Sequence, residues 1–360
     1  MTSGQRLGRH RPEVASPGRP DRVRPRQVRR VRRVRRRTLI VIAVVLVAVL
    51  AGVAGLYATV GPATGAGSLA RGNGRDPLPA RAGSYLGLYP DGVPSSYANA
   101  RAFTSATGVT PNLVVYYSGW LEPFQARFAS TASRAGSVPL VQINPTGVSL
   151  AAIAAGQYDE YLRDYAAAVH RYGHPLILSF GHEMNGTWYS WAAGHTAPAT
   201  FVRAWRHIVD VFRAAGTWNV TWLWTVNVVQ ARPGSAGAAT GGAEGGVASP
   251  RPWWPGAQYV NWVGIDGYYY SPATSFAALF GPAVAGVRAW TRKPILIAET
   301  SATPSAGQPA KIADLFAGIH LYGLLGFVWF DNKTNQDWRL TSATAIAAFK
   351  RAARGYHLAP

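Results

Sequence analysis

The chain has 360 residues, a formal net charge of +20 and no cysteine. The lack of cysteine excludes disulfide bonds and cysteine-based metal sites, and it suits an oxidising compartment. The positive charge is concentrated at one end, because residues 1–37 hold fourteen Arg against only Glu13 and Asp21. Most of the basic character therefore belongs to an N-terminal arm rather than to the whole protein.

The arm is followed by residues 38–60, which contain no charged side chain. This length is enough to cross a bilayer core of about 30 Å, and positive charge before an apolar span places the N-terminus in the cytoplasm. Arg-rich arms can bind nucleic acid, but the adjoining span favours a membrane, and we expect no nucleic-acid partner. The alternative is a secretory signal cleaved within residues 51–66. Both alternatives place the remaining chain outside the cytoplasm, anchored to the cell membrane or secreted.

Residues 61–82 lack periodicity and contain repeated Gly, so we expect a flexible linker. Residues 83–356 have the size of one single-domain barrel. Eight apolar runs rich in β-branched and aromatic residues recur along this part of the chain: 84–89, 113–117, 139–144, 176–180, 220–227, 263–268, 295–299 and 326–331.

Amphipathic helical patterns separate these runs, with apolar side chains at spacings of three and four in residues 158–169 and 201–212. Near-continuous apolar strands that alternate with helices indicate a parallel sheet covered by helices. A count of eight strands predicts a closed (β/α)₈ TIM barrel, in which the C-terminal strand ends build the active site.

Two glutamates lie at such strand ends. Glu183 follows the fourth run and Glu299 ends the seventh, so we expect both on the same face of the barrel. Hydrogen-bonding and aromatic side chains surround the first of them: His182, Asn185 and Trp188. A pair of carboxyl groups beside polar groups and flat aromatic faces is what the hydrolysis of glycosidic bonds requires.

The motifs around these residues resemble glycoside hydrolase family 26, which contains β-mannanases and, less often, mixed-linkage β-glucanases. The resemblance covers nearly all of residues 84–345. It is carried by these segments: 158–162, 181–191, 219–224, 259–268, 297–300, 327–331 and 337–339.

Position by position, the resemblance implies that Glu183 is the acid/base and Glu299 the nucleophile. It implies that His182 stands beside the acid/base and that Tyr268 donates a hydrogen bond to the nucleophile. Trp188 and Trp329 match the aromatic residues that shape the sugar site next to the cleaved bond.

The chain also departs from the family pattern. Ser179 stands where many members have Arg, while Ala257 and Asn261 replace common acidic residues. These departures remove no catalytic group, but they leave the substrate open.

The residues support similar roles without the family. Tyr268 is a candidate donor that would keep Glu299 ionised, whereas an aromatic neighbourhood and a second carboxylate would keep Glu183 protonated. Tyr269 and Tyr270 are alternatives to Tyr268, since a register error of one residue changes which side chain points inward.

Two asparagines, Asn185 and Asn227, are candidate partners for sugar hydroxyl groups, as is Asn144 at the third strand end. Position 186 is Gly, not the second His of a zinc-binding helix, so we expect neither a metal nor another cofactor.

Three functional hypotheses follow. The first is a monomeric, retaining endo-β-glycanase, with β-1,4-mannan as the first substrate and mixed-linkage β-1,3-1,4-glucan as the second. The second is a non-catalytic polysaccharide-binding barrel. The third is an envelope- or matrix-assembly protein whose basic arm contacts acidic lipid or partners while the barrel trims a polymer.

Overall fold

The computed structural model describes residues 78–228, 248–354 and 356, all within the unit Arg71–Pro360. The predicted arm (1–37), the predicted apolar span (38–60) and most of the predicted linker (61–82) lie outside the described residues. Within the described ranges, every helix is too short or too polar to traverse a bilayer.

Eight parallel strands form a closed barrel in which each strand pairs with its neighbours in chain order, and β1 pairs with β8. The predicted closed barrel is therefore confirmed. The strands are β1 (Tyr85–Pro90), β2 (Leu113–Gly119), β3 (Val138–Asn144), β4 (Leu176–Phe180), β5 (Val220–Asn227), β6 (Trp262–Asp266), β7 (Ile295–Thr300) and β8 (Gly326–Asp331).

Helices cover the outside of the barrel. In the described residues they are α1 (Ala98–Thr107), α2 (Ala126–Arg134), α3 (Leu150–Ala154), α4 (Asp159–Tyr172), α5 (Pro198–Ala214), α6 (Phe276–Arg288), α7 (Gln308–Leu321) and α8 (Ala343–Ala353). Two connections depart from the regular alternation of one strand with one helix. Both α3 and α4 lie between β3 and β4, and the described part of the β5–β6 connection contains short 3₁₀ turns at Arg251–Trp253 and Ala257–Tyr259.

Side chains alternate between two cores along each strand, as the pleat requires. In β2, Leu113 and Val115 belong to the barrel interior, whereas Val114 and Tyr116 belong to the larger core beneath the helices. The interior is packed so closely that a Cβ at Gly264 would lie 2.4 Å from Oγ1 of Thr225. The interior of the barrel is thus filled with side chains, and a site can open only at one end of the barrel.

The register of β7 shifts relative to both neighbouring strands. As a result, the consecutive residues Ala298 and Glu299 both face inward: Ala298 lies in the interior core and Glu299 lines the cavity above it. Regular alternation would point one of the two side chains outward. The irregularity therefore orients the side chain of Glu299 toward the mouth of the barrel.

Candidate active site

A cavity of about 460 Å³ opens at the C-terminal ends of the strands, and both predicted glutamates line it. Its walls are mainly aromatic and polar, which suits a ligand with both ring faces and hydroxyl groups. The lining residues are Tyr117, Asn144, His182, Glu183, Tyr189, Tyr268, Tyr270, Glu299, Phe330, Thr334, Asn335, Gln336 and Trp338.

Glu183 lies just beyond β4 in an unusual backbone conformation. Its φ is 54°, in the left-handed region that non-glycine residues seldom adopt. Its amide nitrogen donates to the carbonyl oxygen of Thr225 at 3.0 Å, which fastens this turn to β5. A residue kept in a strained conformation by its surroundings is typical of functional sites.

Both carboxylate oxygens of Glu183 accept hydrogen bonds. Nδ2 of Asn227 donates to Oε1 at 2.5 Å, and Nε1 of Trp188 donates to Oε2 at 2.7 Å. Trp188 reaches this position because Gly186 has no side chain, since a Cβ there would lie 2.4 Å from the indole ring. The predicted residues Glu183, Trp188 and Asn227 are therefore in direct contact.

Glu299 is held from the opposite side by two tyrosines. The hydroxyl of Tyr268 donates to Oε2 at 2.8 Å, and the hydroxyl of Tyr117 donates to Oε1. Of the alternatives to Tyr268, Tyr269 is fully buried in the outer core, while Tyr270 lines the cavity. The sequence pattern missed Tyr117, which lies on β2 in a run that resembled an ordinary core strand.

A third carboxyl group, Asp266 at the end of β6, completes a cluster. One oxygen each from Glu183, Asp266 and Glu299 can be chosen so that all three lie within 4.8 Å of one another. Glu183 and Glu299 are each 6% exposed, and Asp266 is fully buried. Within the described residues, these three side chains form the cluster that could offer oxygen ligands to a cation. The same closeness would allow two of these carboxyl groups to act on one glycosidic bond.

Burial dominates the electrostatics of this cluster. Desolvation and the neighbouring charge of Glu183 raise the pKa of Glu299 to about 8, although the hydrogen bonds from Tyr117 and Tyr268 act in the opposite direction. Tyr268 donates to Glu299 and lowers its pKa as expected, but burial and Glu183 outweigh this bond, so the expectation that Glu299 is kept ionised is not met. Burial raises the pKa of Asp266 well above its usual range, and the charges of Glu299 and Glu183 add to this. The cluster thus retains a proton near neutral pH, because three adjacent buried charges would repel one another.

His182 lines the cavity beside Glu183, as predicted. Burial lowers its pKa to about 3, so the imidazole is neutral at ordinary pH. Its Nε2 lies 3.2 Å from the hydroxyl of Tyr189, whose ring stacks on Trp191 at 4.3 Å between centroids. A neutral imidazole with a fixed ring can exchange hydrogen bonds with sugar hydroxyls without adding charge to the site.

Asn185 does not reach the cavity. It is fully buried, its Nδ2 donates to the carbonyl oxygen of Asn227 at 2.9 Å, and its Oδ1 accepts from the amide of Asn227 at 2.9 Å. The prediction that Asn185 binds substrate is wrong, because its amide is used on backbone groups. It instead fixes the segment that carries Asn227.

Trp329 is also turned away from the cavity. Strand alternation points it toward the helices, where it is fully buried and its ring lies 6.0 Å from that of Phe349. The prediction that Trp329 shapes the sugar site is wrong, because the side chain that faces the cavity belongs to the next residue. Phe330, next along β8, lines the cavity in its place.

The wall formed by Thr334, Asn335, Gln336 and Trp338 was also missed. These residues follow β8 in a loop, where no periodic pattern assigns a direction to a side chain. The Asp337-Trp338-Arg339 motif was the available signal, and the structure brings its tryptophan to the cavity.

Comparisons with known proteins point to one family. The model of glycosyl hydrolase family 26 matches residues 160–292. Endoglucanase H of Acetivibrio thermocellus is 29% identical over 287 residues, which are 75% of this chain and 30% of that protein. Beta-1,3-xylanase TXYA of a Vibrio species is 27% identical over 183 residues, which are 47% of this chain and 35% of that protein. The chain spans about a third of the length of these curated relatives.

Among solved structures, a double mutant of the endo-beta-1,4-mannanase of Cellulomonas fimi superposes with a TM-score of 0.60. The superposition covers 77% of this chain and 72% of that chain at 14% identity, which shows a shared fold. The family match covers Glu183, and the barrel brings Glu299 beside it, as the sequence resemblance predicted. The chain is therefore similar to glycosyl hydrolase family 26, both through the family model over residues 160–292 and through its 29% identity to Endoglucanase H.

Proposed function

We propose that residues 83–356 form a retaining endo-β-glycanase with Glu183 as acid/base and Glu299 as nucleophile. The observation that carries the proposal is the distance between the two groups, whose carboxylate oxygens approach within 4.8 Å. Carboxyl groups about 5 to 5.5 Å apart are typical of retention, whereas inverting enzymes separate them by about 6.5 to 9.5 Å to admit a water molecule.

Two steps follow from this arrangement. An oxygen of Glu299 attacks the anomeric carbon while Glu183 gives its proton to the leaving glycosidic oxygen, and the carbon–oxygen bond to the leaving group breaks. A water molecule then gives a proton to Glu183, and its oxygen attacks the same carbon and releases Glu299. Asp266 can stay protonated beside the pair. The charge of Glu299 then does not lie next to a second ionised carboxylate.

The substrate we propose first is β-1,4-mannan, on the strength of the family resemblance. The endoglucanase relative favours β-glucan as the second candidate, and the xylanase relative adds β-1,3-xylan to the test. Hydrolysis by the full-length protein should be measured on mannan, mixed-linkage glucan and xylans, with sizing of the products. Internal cleavage that releases oligosaccharides of several lengths supports an endo-acting enzyme.

Proton NMR of the first anomer formed tests the mechanism. Retention predicts the β anomer, and Glu299→Ala should lower kcat by several orders of magnitude without loss of secondary structure. An α anomer would contradict the nucleophile assignment. Binding of polysaccharide without hydrolysis by the unmodified protein would instead support the non-catalytic alternative.

We also propose that the barrel acts as a monomer outside the cytoplasm, on the cell membrane or after secretion. The support for this location is the presence of fourteen Arg in residues 1–37, before the uncharged residues 38–60. Added protease should digest the barrel of intact cells while the arm stays protected. A soluble external form that begins after residue 51 would contradict the anchor and support the cleaved signal.

A further inference from the structure

The segment 332–340, here called the β8 loop, forms a braced wall on one side of the cavity. Lys333 and Asp337 pair as an antiparallel bridge across its base. The guanidinium of Arg339 donates twice to Asp337, at 2.8 and 2.7 Å, and the amide of Leu340 donates to Oδ1 of Asp331 at 2.6 Å. These bonds fix the backbone of the loop before any ligand arrives.

The loop is also tied to the predicted nucleophile. The ring of Trp338 is 5% exposed and lies 4.8 Å from the ring of Tyr268, centroid to centroid. The hydroxyl of Tyr268 in turn binds Glu299 at 2.8 Å. Oγ of Ser301, two residues after Glu299, donates to the carbonyl oxygen of Trp338 at 3.0 Å. The loop therefore has a defined position relative to Glu299.

Three polar residues occupy the tip of the β8 loop. Thr334, Asn335 and Gln336 are exposed, yet all three line the cavity that contains both glutamates. The amide of Thr334 donates to the carbonyl oxygen of Gln336 at 2.9 Å, which closes the tip into a tight turn. Side-chain amides offer both donors and acceptors, and a fixed backbone reduces the entropy lost when they bind.

The position of the loop in the barrel decides which part of a glycan it meets. Glu183 is held by residues that follow β4 and end β5, on the far side of the closed barrel from β8. The leaving group must lie on the Glu183 side, because Glu183 protonates it. The sugar that becomes attached to Glu299 lies on the other side, with β7, β8 and the β8 loop.

We propose that Asn335 and Gln336 bind hydroxyl groups on the glycone side of the cleaved bond and select the β-linked hexose or pentose that is accepted there. This inference rests on the proposed function, since it takes its direction from the roles of Glu183 and Glu299. Hydroxyl orientation differs between mannose and glucose, and an amide pair on a fixed loop discriminates between such orientations through hydrogen bonds that are made or lost.

The test compares the full-length protein with an Asn335→Ala/Gln336→Ala double variant and with the control Gln157→Ala, an exposed glutamine in the α3–α4 connection. Two substrates share one glycone: an oligosaccharide and the aryl glycoside made from its glycone sugars. The double variant should lose about tenfold in kcat/KM on both, because hydrogen bonds to neutral groups are lost in each. The kcat/KM of the control variant should equal that of the unmodified protein. The melting temperature of both variants should also be unchanged.

Equal kcat/KM for the double variant and the unmodified protein on both substrates would overturn the proposal. A loss confined to the oligosaccharide would place the amides on the leaving-group side and overturn it as well. If the unmodified protein hydrolyses no glycan, the proposed function fails, and calorimetric titration with the oligosaccharide decides the inference. Weaker binding by the double variant, by about tenfold, would then support a sugar-binding loop, whereas equal binding or none would contradict it.

Discussion

Nε1 of Trp188 donates a hydrogen bond to Oε2 of Glu183 at 2.7 Å. An indole that the sequence assigned to the sugar site is therefore attached to the predicted acid/base itself. With Asn227 on the other oxygen, it leaves the carboxyl group little rotational freedom. Proton transfer depends on such positioning, since the donor must lie within hydrogen-bond distance of the leaving oxygen.

The first prediction concerns this bond. Trp188→Phe keeps an aromatic ring and removes the Nε1 donor, so kcat/KM should fall about tenfold on substrates with poor leaving groups. Activated aryl glycosides need less protonation and should be affected less. Trp205→Phe is the control, because its Nε1 binds the carbonyl oxygen of Tyr259 away from the cavity. Equal losses on both substrate types for Trp188→Phe would show that the bond does not position the acid.

The second prediction links the buried cluster to stability. The pKa of Glu299 is about 8 in the folded protein against an ordinary value of 4.5, so the folded state binds more protons between these values. Stability should therefore fall as the pH rises from 4.5 to 8. Glu299→Gln removes this titration. Urea unfolding at pH 5 and pH 8 should show that the unmodified protein loses at least about 1 kcal/mol more than the variant.

Glu160→Gln, at an exposed position in the first turn of α4, is the control for the loss of one carboxyl group. It should leave the pH dependence of unfolding as in the unmodified protein. If Glu299→Gln lost as much stability with rising pH as the unmodified protein, the raised pKa of Glu299 would be refuted.

The third prediction concerns Tyr268, which donates to the proposed nucleophile Glu299. The hydrogen bond from Tyr268 lowers the pKa of Glu299, so Tyr268→Phe should raise that pKa further. Because Glu299 in the proposed role must react as the carboxylate, the acidic limb of the kcat/KM profile should move to higher pH. Tyr270→Phe removes a hydroxyl from the same cavity and serves as the control. An unmoved limb in Tyr268→Phe would contradict the role of this bond.

The barrel was predictable because each strand is buried on both faces and reads as a continuous apolar run. The predicted boundaries of the fourth, fifth and eighth strands, 176–180, 220–227 and 326–331, match the structure. The positions of Glu183 and Glu299 followed directly, since strand ends in such a barrel share one face.

Side-chain direction was harder to predict. A continuous apolar run carries no alternation, so nothing in the sequence 326–331 distinguishes the inward Phe330 from the outward Trp329. Asp266 was missed for a related reason, because it ends a buried strand without a polar neighbour to mark it. The contact between Asn185 and Asn227 joins the loop after β4 to the end of β5, 42 residues further along the chain, and only the fold brings them together.

The fourth prediction follows from that contact. Asn185→Ala would remove the partners of the backbone amide and carbonyl of the half-buried Asn227, at a cost of about 1–3 kcal/mol in unfolding free energy. It should also lower kcat, because Asn227 would no longer be fixed beside Glu183. Asn99→Ala is the control, since the side chain of Asn99 is exposed and bonds to the carbonyl oxygen of Asp91. Unchanged stability in Asn185→Ala would refute the anchoring role.

The fifth prediction separates Trp329 from Phe330. Trp329 is fully buried against the helices, so Trp329→Ala should leave a cavity in the outer core and cost about 3–5 kcal/mol in unfolding free energy. The folded fraction should bind oligosaccharide with unchanged affinity, because the ring does not line the cavity.

Phe330 differs because it is half-buried and lines the cavity, with its ring 4.7 Å from that of Tyr89 between centroids. Phe330→Ala should cost less stability and weaken oligosaccharide binding about tenfold, since an apolar face for a sugar ring is lost. Both variants are best compared in the Glu299→Ala background, where bound oligosaccharide is not hydrolysed. Calorimetric titration then measures affinity, and urea unfolding measures stability. Weaker binding in the Trp329 variant with unchanged binding in the Phe330 variant would mean that the side chains of β8 face in the opposite directions.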